Sequence, residues 1–329
     1  MQKDPLKFEH IAFNRLASRH AVRPVRFTTA IWQTRQFNLE NVMLSRLRHL
    51  EFNVPAVRGA MREFFFPDAR WTTIRWGPLR GMKIKNRADI NLHLLVGAWE
   101  LRSFAILQRV FAALNARTWN GAAIDVGANM GAYSFWLERA LPSLTAIYAF
   151  EASPETATRL REHLQASNTH KIQVVQAACI DTNRPVEFFL SHHHHSSSIV
   201  QAFAHAEVEI NQRASLQAQG IALDNFLADT PQPIHFIKID IEGGAVLALS
   251  GMRETIAKYR PLVLIESHTP AEDGAISIML LENRYDAFRL NNEKWVTQKN
   301  ADHKNADGVW GTMLCLPNEL VPNLENVLK

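Results

Sequence analysis

Apolar and polar residues along this chain alternate between two patterns. Residues 122–126, 144–151, 172–178, 234–240 and 261–268 are short, mostly apolar runs, the first bounded by Gly121 and Gly127. Such runs, without regular alternation, read as strands buried on both faces of a parallel sheet. Between them, residues 133–140, 154–167 and 245–259 read as helices. Strands alternating with helices imply right-handed crossovers and an open, mostly parallel α/β sheet.

The rhythm changes at both ends. Residues 185–190 form an extra strand-like run, and a helix near 275–283 with strands near 285–290 and 308–316 would close the sheet as an antiparallel pair. Upstream, residues 91–114 look helical, residues 71–85 carry Gly77-Pro78 and Gly81 between alternating halves as a hairpin does, and residues 38–50 show helical spacing. The expected organisation is an accessory helix-and-hairpin segment over 1–90 and one α/β domain over 91–329.

The chemistry concentrates where strands end. Asp125 closes the first strand, and Gly127, Asn129 and Gly131 form a D-x-G-x-N-x-G turn into the next helix. Glycines there let a ligand approach backbone amides at a helix start. Asn129 occupies a position where a dinucleotide fingerprint needs glycine, which argues against a nicotinamide dehydrogenase. Glu151 ends the second strand, where a carboxylate can accept both hydroxyls of a ribose. An acid-tipped strand, that loop and a ribose-binding acid together point to S-adenosylmethionine.

Open α/β sheets bind ligands beyond the carboxyl ends of their strands. Asp240 and Glu242 end one strand, Glu266 and His268 another, so these four should share a rim with Asp125 and Glu151.

Composition narrows the field. The chain has 329 residues, 47% hydrophobic, which is enough for one large core. Cys179 and Cys315 are too few for a disulfide framework, residues 1–10 lack an apolar signal core, and no run approaches the about 18 apolar residues of a spanning helix; a reduced cytoplasmic protein is expected. Residues 1–90 hold 17 Lys and Arg against 7 Asp and Glu, and the remainder 19 against 25. That basic segment fits a substrate lid, a homodimer surface, a membrane-surface contact or simply a solvated face. Adjacent histidines on an extended chain point to opposite sides, so the run His192–His195 is not read as a metal site.

The motifs resemble the FkbM-type methyltransferases, from about Gly97 to Glu266. The matching pieces are Gly97-Ala98-Trp99-Glu100, residues 124–131, Ala149-Phe150-Glu151-Ala152-Ser153-Pro154, Ser196-Ser197-Ser198, Leu223-Asp224-Asn225-Phe226 and residues 236–243. The resemblance implies a seven-stranded Rossmann-like class I methyltransferase sheet and O-methylation of sugar or secondary-metabolite hydroxyls. Where the family reads K-I-D-V-E-G-A-E, this chain has Gly244-Ala245 in place of Ala-Glu.

In that frame Asp125, Gly127, Asn129, Gly131 and Glu151 hold the cofactor, and Ala178 and Cys179 flank its adenine. Asp240, His268 and Glu242 are the catalytic candidates, with imidazole the natural base near neutrality. Glu100 and Glu266 are candidate acceptor contacts, the acceptor being a small hydroxyl compound such as a sugar or an anionic conjugate. Asp240, Glu242 and Glu266 could instead bind a divalent cation, a reading with no further support in the sequence. The alternatives are a non-catalytic binding module of the same fold, against which the intact loop and Glu151 weigh, and a nucleic-acid methyltransferase, for which the N/D-P-P-Y/F motif is missing.

Overall fold

The computed structural model describes residues 65–87, 90–189, 215–228, 232–297, 304–305 and 308–328. The helix expected at 38–50 and the His192–His195 run lie outside the described residues.

A short antiparallel hairpin, β1 (Trp71–Thr73) and β2 (Lys83–Lys85), precedes α1 (Leu92–Leu95) and α2 (Leu101–Ala113). The alternating core then runs β3 (Ala122–Val126), α3 (Ala132–Ala140), β4 (Ala146–Phe150), α4 (Pro154–Ala166) and β5 (Ile172–Val175). After β6 (Ala178–Cys179), β7 (Arg184–Phe189), β8 (Ser215–Ile221) and α5 (Leu223–Ala228) come β9 (Ile234–Ile239), α6 (Ala245–Ser250), α7 (Arg253–Tyr259) and β10 (Leu262–Ser267). The chain closes with α8 (Pro270–Asn283), β11 (Tyr285–Arg289), β12 (Lys294–Trp295), β13 (Gly311–Pro317) and α9 (Val321–Leu324).

Among the described residues, the main sheet has the order β12-β11-β13-β10-β9-β3-β4-β5. β10, β9, β3, β4 and β5 are parallel; β13 runs antiparallel between β10 and β11, so β11 points the same way as the parallel set. The sheet therefore has eight strands where seven were expected, the eighth being the two-residue β12 at the edge. The strand read over 172–178 ends at Val175, and Ala178-Cys179 joins β8 and β7 in a separate three-stranded sheet.

Two expected helices are each broken in two. The 91–114 segment is interrupted by Gly97 (φ 73°) and Glu100 (φ 50°), both left-handed, and the 245–259 segment by the Gly251-Met252 step between α6 and α7.

The period-2 geometry of the strands sorts the core. Ala123, Ile147, Phe236 and Leu264 face one layer with Phe104, Phe111, Trp136 and Leu137; Ile124, Tyr148, Ile237 and Ile265 face the other with Ala248, Met252 and Ile276. Ile74, Leu79, Met82 and Ile84 of the hairpin segment belong to the first layer, so the hairpin shares the core. Among the described residues, no helix is long and apolar enough to cross a membrane.

Candidate active site

The turn after β3 is shaped by its neighbours. Gly127 has φ 74°, and a Cβ there would overlap the backbone carbonyl oxygen of Asp240, while the Asp240 N–H donates to the Val126 carbonyl at 3.1 Å. The loop ends of β3 and β9 thus lie in backbone contact. Gly131 has φ 84°, and a Cβ there would press on the Leu160 side chain, so close packing of α3 on α4 requires this glycine.

Asn129 adopts φ 48°, and its N–H donates to Glu151 Oε2 at 3.0 Å. The Ser153 N–H donates to Glu151 Oε1 at 3.0 Å, so both carboxylate oxygens are engaged by backbone. Burial raises the Glu151 pKa, against the pull of those two amides.

A cavity of about 370 Å³ opens over the carboxyl ends of β4, β3, β9 and β10. Gly127, Asn129, Glu151, Ala178 and Cys179 line it, as do Glu100, Asp240, Glu242, Glu266 and His268. Every site residue named from the sequence is there except Asp125 and Gly131. Asp125, expected to orient the loop or the ligand's amino group, is fully buried behind the wall. Its Oδ2 accepts from Ser134 Oγ at 2.6 Å, and its Oδ1 lies 3.4 Å from Lys238 Nζ.

Lys238 joins the two halves of the floor. Its ammonium donates to the Gly127 carbonyl at 2.8 Å and sits 3.5 Å from Asp240 Oδ2. Burial alone would lower its pKa, but Asp240 and Asp125 outweigh this and hold it above the ordinary lysine value. A charge so satisfied stays on the protein, which removes Lys238 as a base.

At the β10 end, His268 Nε2 lies 3.6 Å from Glu242, 3.7 Å from Asp240 and 3.9 Å from Glu266. All three distances exceed the about 3.2 Å limit of an N–H···O bond. Burial, then the Asp240 charge, pushes the Glu266 carboxyl up to about 7, and burial raises Glu242 as well. Asp240 does not cap the helix that follows it: Gly244 is that cap and brings no side-chain bond.

Three contributors escape the sequence reading. Tyr133 lines the cavity, its hydroxyl donates to Glu100 Oε2 at 3.4 Å, and burial followed by the Glu100 charge holds its pKa well above 10, so it stays protonated. Phe188 reaches the cavity from β7. Glu272 is fully buried; its Oε1 accepts from the Ala245 N–H at 2.9 Å and its Oε2 from the His268 N–H at 2.8 Å. Its signal was Thr269-x-x-Glu272, a capping-box spacing. Thr269 does cap α8, but the glutamate turns outward to tie α6 and His268 together.

Residues 125–290 match the model of the methyltransferase FkbM domain. The chain is 24% identical over 190 residues to Methyltransferase 1 of Beauveria bassiana (strain ARSEF 2860), covering 52% of this chain and 74% of that one. Among solved structures it is similar to a methyltransferase FkbM from Methylobacillus flagellatus KT, at 17% identity and a TM-score of 0.39. That alignment covers 60% of this chain and only 44% of the other. A putative methyltransferase from Streptococcus mutans, solved in complex with SAH, aligns at 12% identity and a TM-score of 0.35 over 64% of this chain and 93% of its own. With the family model spanning half of its length, the chain belongs to the FkbM methyltransferase family.

Proposed function

We propose that the protein is an S-adenosylmethionine-dependent O-methyltransferase acting on a hydroxyl of a sugar or secondary metabolite. The observation that carries this reading is that Glu151, the glycine loop and the Asp240–His268 pair line one cavity. The donor set fits the cofactor. Glu151 keeps lone pairs for ribose hydroxyls while two amides hold it in place, and Ala178 and Cys179 offer an apolar wall to adenine.

When bound, S-adenosylmethionine supplies a sulfonium methyl: the acceptor oxygen forms the new C–O bond as the C–S bond breaks and its electron pair stays on sulfur. Much of the rate then comes from alignment. His268 Nε2 takes the hydroxyl proton, and Asp240 and Glu242 stabilise the resulting imidazolium from 3.7 and 3.6 Å. Glu100 and Glu266 accept hydrogen bonds from further hydroxyls of the acceptor.

This end of the cavity presents carboxylates, and Lys238 is already committed to Gly127, Asp125 and Asp240. An uncharged polyhydroxyl acceptor therefore fits better than an anionic conjugate or nucleic acid.

The test is calorimetric titration with S-adenosylhomocysteine. Micromolar binding by the parent, weakened about 100-fold or more in Glu151→Ala, is expected for a carboxylate making charge-assisted hydrogen bonds. No binding by the parent would overturn the reading and leave a binding module of the same fold.

A further inference from the structure

The methyl-transfer reading leaves one arrangement unexplained. Asp240, Glu266 and His268 each offer a ligand atom, and these atoms lie within 4.8 Å of one another. Direct pairing would bring the imidazole to one carboxylate at hydrogen-bond length. Instead Nε2 stands 3.7 and 3.9 Å from the two oxygens and bonds to neither. The other ring nitrogen, Nδ1, is buried and has no hydrogen-bond partner among the described residues; the nearest carboxylate is Glu272, with Oε2 at 3.9 Å.

A buried carboxylate behind the far nitrogen of a histidine favours the Nδ1–H tautomer and turns the Nε2 lone pair forward, the arrangement found behind metal-bound imidazoles. Glu272 is rigidly placed for this, because its oxygens accept the backbone N–H groups of Ala245 and of His268 itself.

We propose that Asp240, Glu266 and His268 bind one divalent cation of the manganese class at the acceptor end of the cavity. Two carboxylates and one imidazole match the preference of such ions for oxygen with some nitrogen, and water or acceptor oxygens complete the shell. Lys238 cannot take the cation's place, since its ammonium lies on the Asp125 side of Asp240.

The inference rests on the methyl-transfer reading and reassigns its acceptor end: Asp240 and Glu266 become ligands and Glu242 the proton acceptor. With the cation bound, His268 Nε2 is a ligand and not the base. The cation polarises the acceptor O–H, and the proton passes to Glu242, whose Oε2 lies 3.6 Å from that nitrogen. The bonds made and broken are otherwise the same.

The experiment is titration of the purified full chain with Mn²⁺ alone, followed by the loss of the free-ion electron paramagnetic resonance signal. One bound ion per chain is expected. His268→Ala and Glu266→Gln should each weaken it by about tenfold or more, since even outer-shell changes cost that much. A variant with alanine at His192, His193, His194 and His195 should bind as the parent does. S-adenosylhomocysteine titration of each variant checks its fold and tests the methyl-transfer reading separately. No Mn²⁺ bound in the millimolar range, binding unchanged in both His268→Ala and Glu266→Gln, or binding lost with the four-histidine run would each overturn the cation site while leaving cofactor binding standing.

Discussion

The two ends of the cavity are held in different ways. At the glycine-loop end, polar atoms are fixed by backbone: Glu151 accepts two amides at 3.0 Å each, and Gly127 sits against the Asp240 carbonyl with no room for a methyl group. At the β10 end, Asp240, Glu242 and Glu266 stand 3.6–3.9 Å from His268 Nε2 without a direct hydrogen bond to it. The first end is built before a ligand arrives. The second is an electrostatic cluster whose geometry depends on what enters it. Recognition of a constant cofactor suits the former, and handling a proton on a variable acceptor suits the latter.

Substitutions should separate the two ends. The largest effect is expected for His268→Ala. Methyl transfer to any productive acceptor should fall by about 10²–10⁴, whether the imidazole takes the proton itself or holds the cation, while S-adenosylhomocysteine affinity is unchanged. A matching loss of affinity would mean the ends are one unit. Next comes Gly127→Ala, which places a methyl on the Asp240 carbonyl at a left-handed φ. It should cost roughly 2–4 kcal/mol in denaturant unfolding and weaken cofactor binding as well. A cost below about 1 kcal/mol would show that the loop can move aside, contradicting a preformed end.

Acid acts on the frame beneath the loop. His163 is buried, packs edge-on under Trp71 and is hydrogen-bonded to the Met130 backbone; burial lowers its pKa from 6.5 to about 4. In that window the unfolded chain binds the proton more readily than the folded one, so stability is retained above pH 6.5 and lost as pH falls toward 4. The loss has a ceiling of about 3 kcal/mol. Thermal melts across this range should show the decline in the parent and a flatter profile in His163→Gln. The smallest effect belongs to Glu272→Gln, which keeps one acceptor for the Ala245 and His268 amides. About 1–2 kcal/mol of stability should go, read from denaturant midpoints, with cofactor affinity intact.

The sequence made the preformed end the more legible one, for a physical reason. Strand, glycine turn and strand-ending Glu151 are local, and their requirements on φ and burial leave a local mark. Even so, only part of the reason for the glycines was legible there: Gly127 must also clear the Asp240 carbonyl, and Gly131 the Leu160 side chain. Asp125 looked like a ligand contact because it ends a strand, yet full burial, Ser134 and Lys238 take it out of the cavity. At the other end the convergence of Asp240, Glu242, Glu266 and His268 followed from the rule that strand tips share a rim. Glu272 and Tyr133 did not, because each sits in the first turn of a helix where a cap or a packing aromatic is the ordinary reading. The breaks at Gly97–Glu100 and Gly251-Met252 lay inside stretches whose apolar spacing continued across them.

The bond from the Asn129 amide to Glu151 also makes one proton an informant. Ribose hydroxyls reaching that carboxylate compete for its lone pairs and, by closing the cavity over the loop, shield the same amide from water. Its exchange rate and chemical shift would therefore register whether the nucleoside half of the cavity is filled, with no turnover at all.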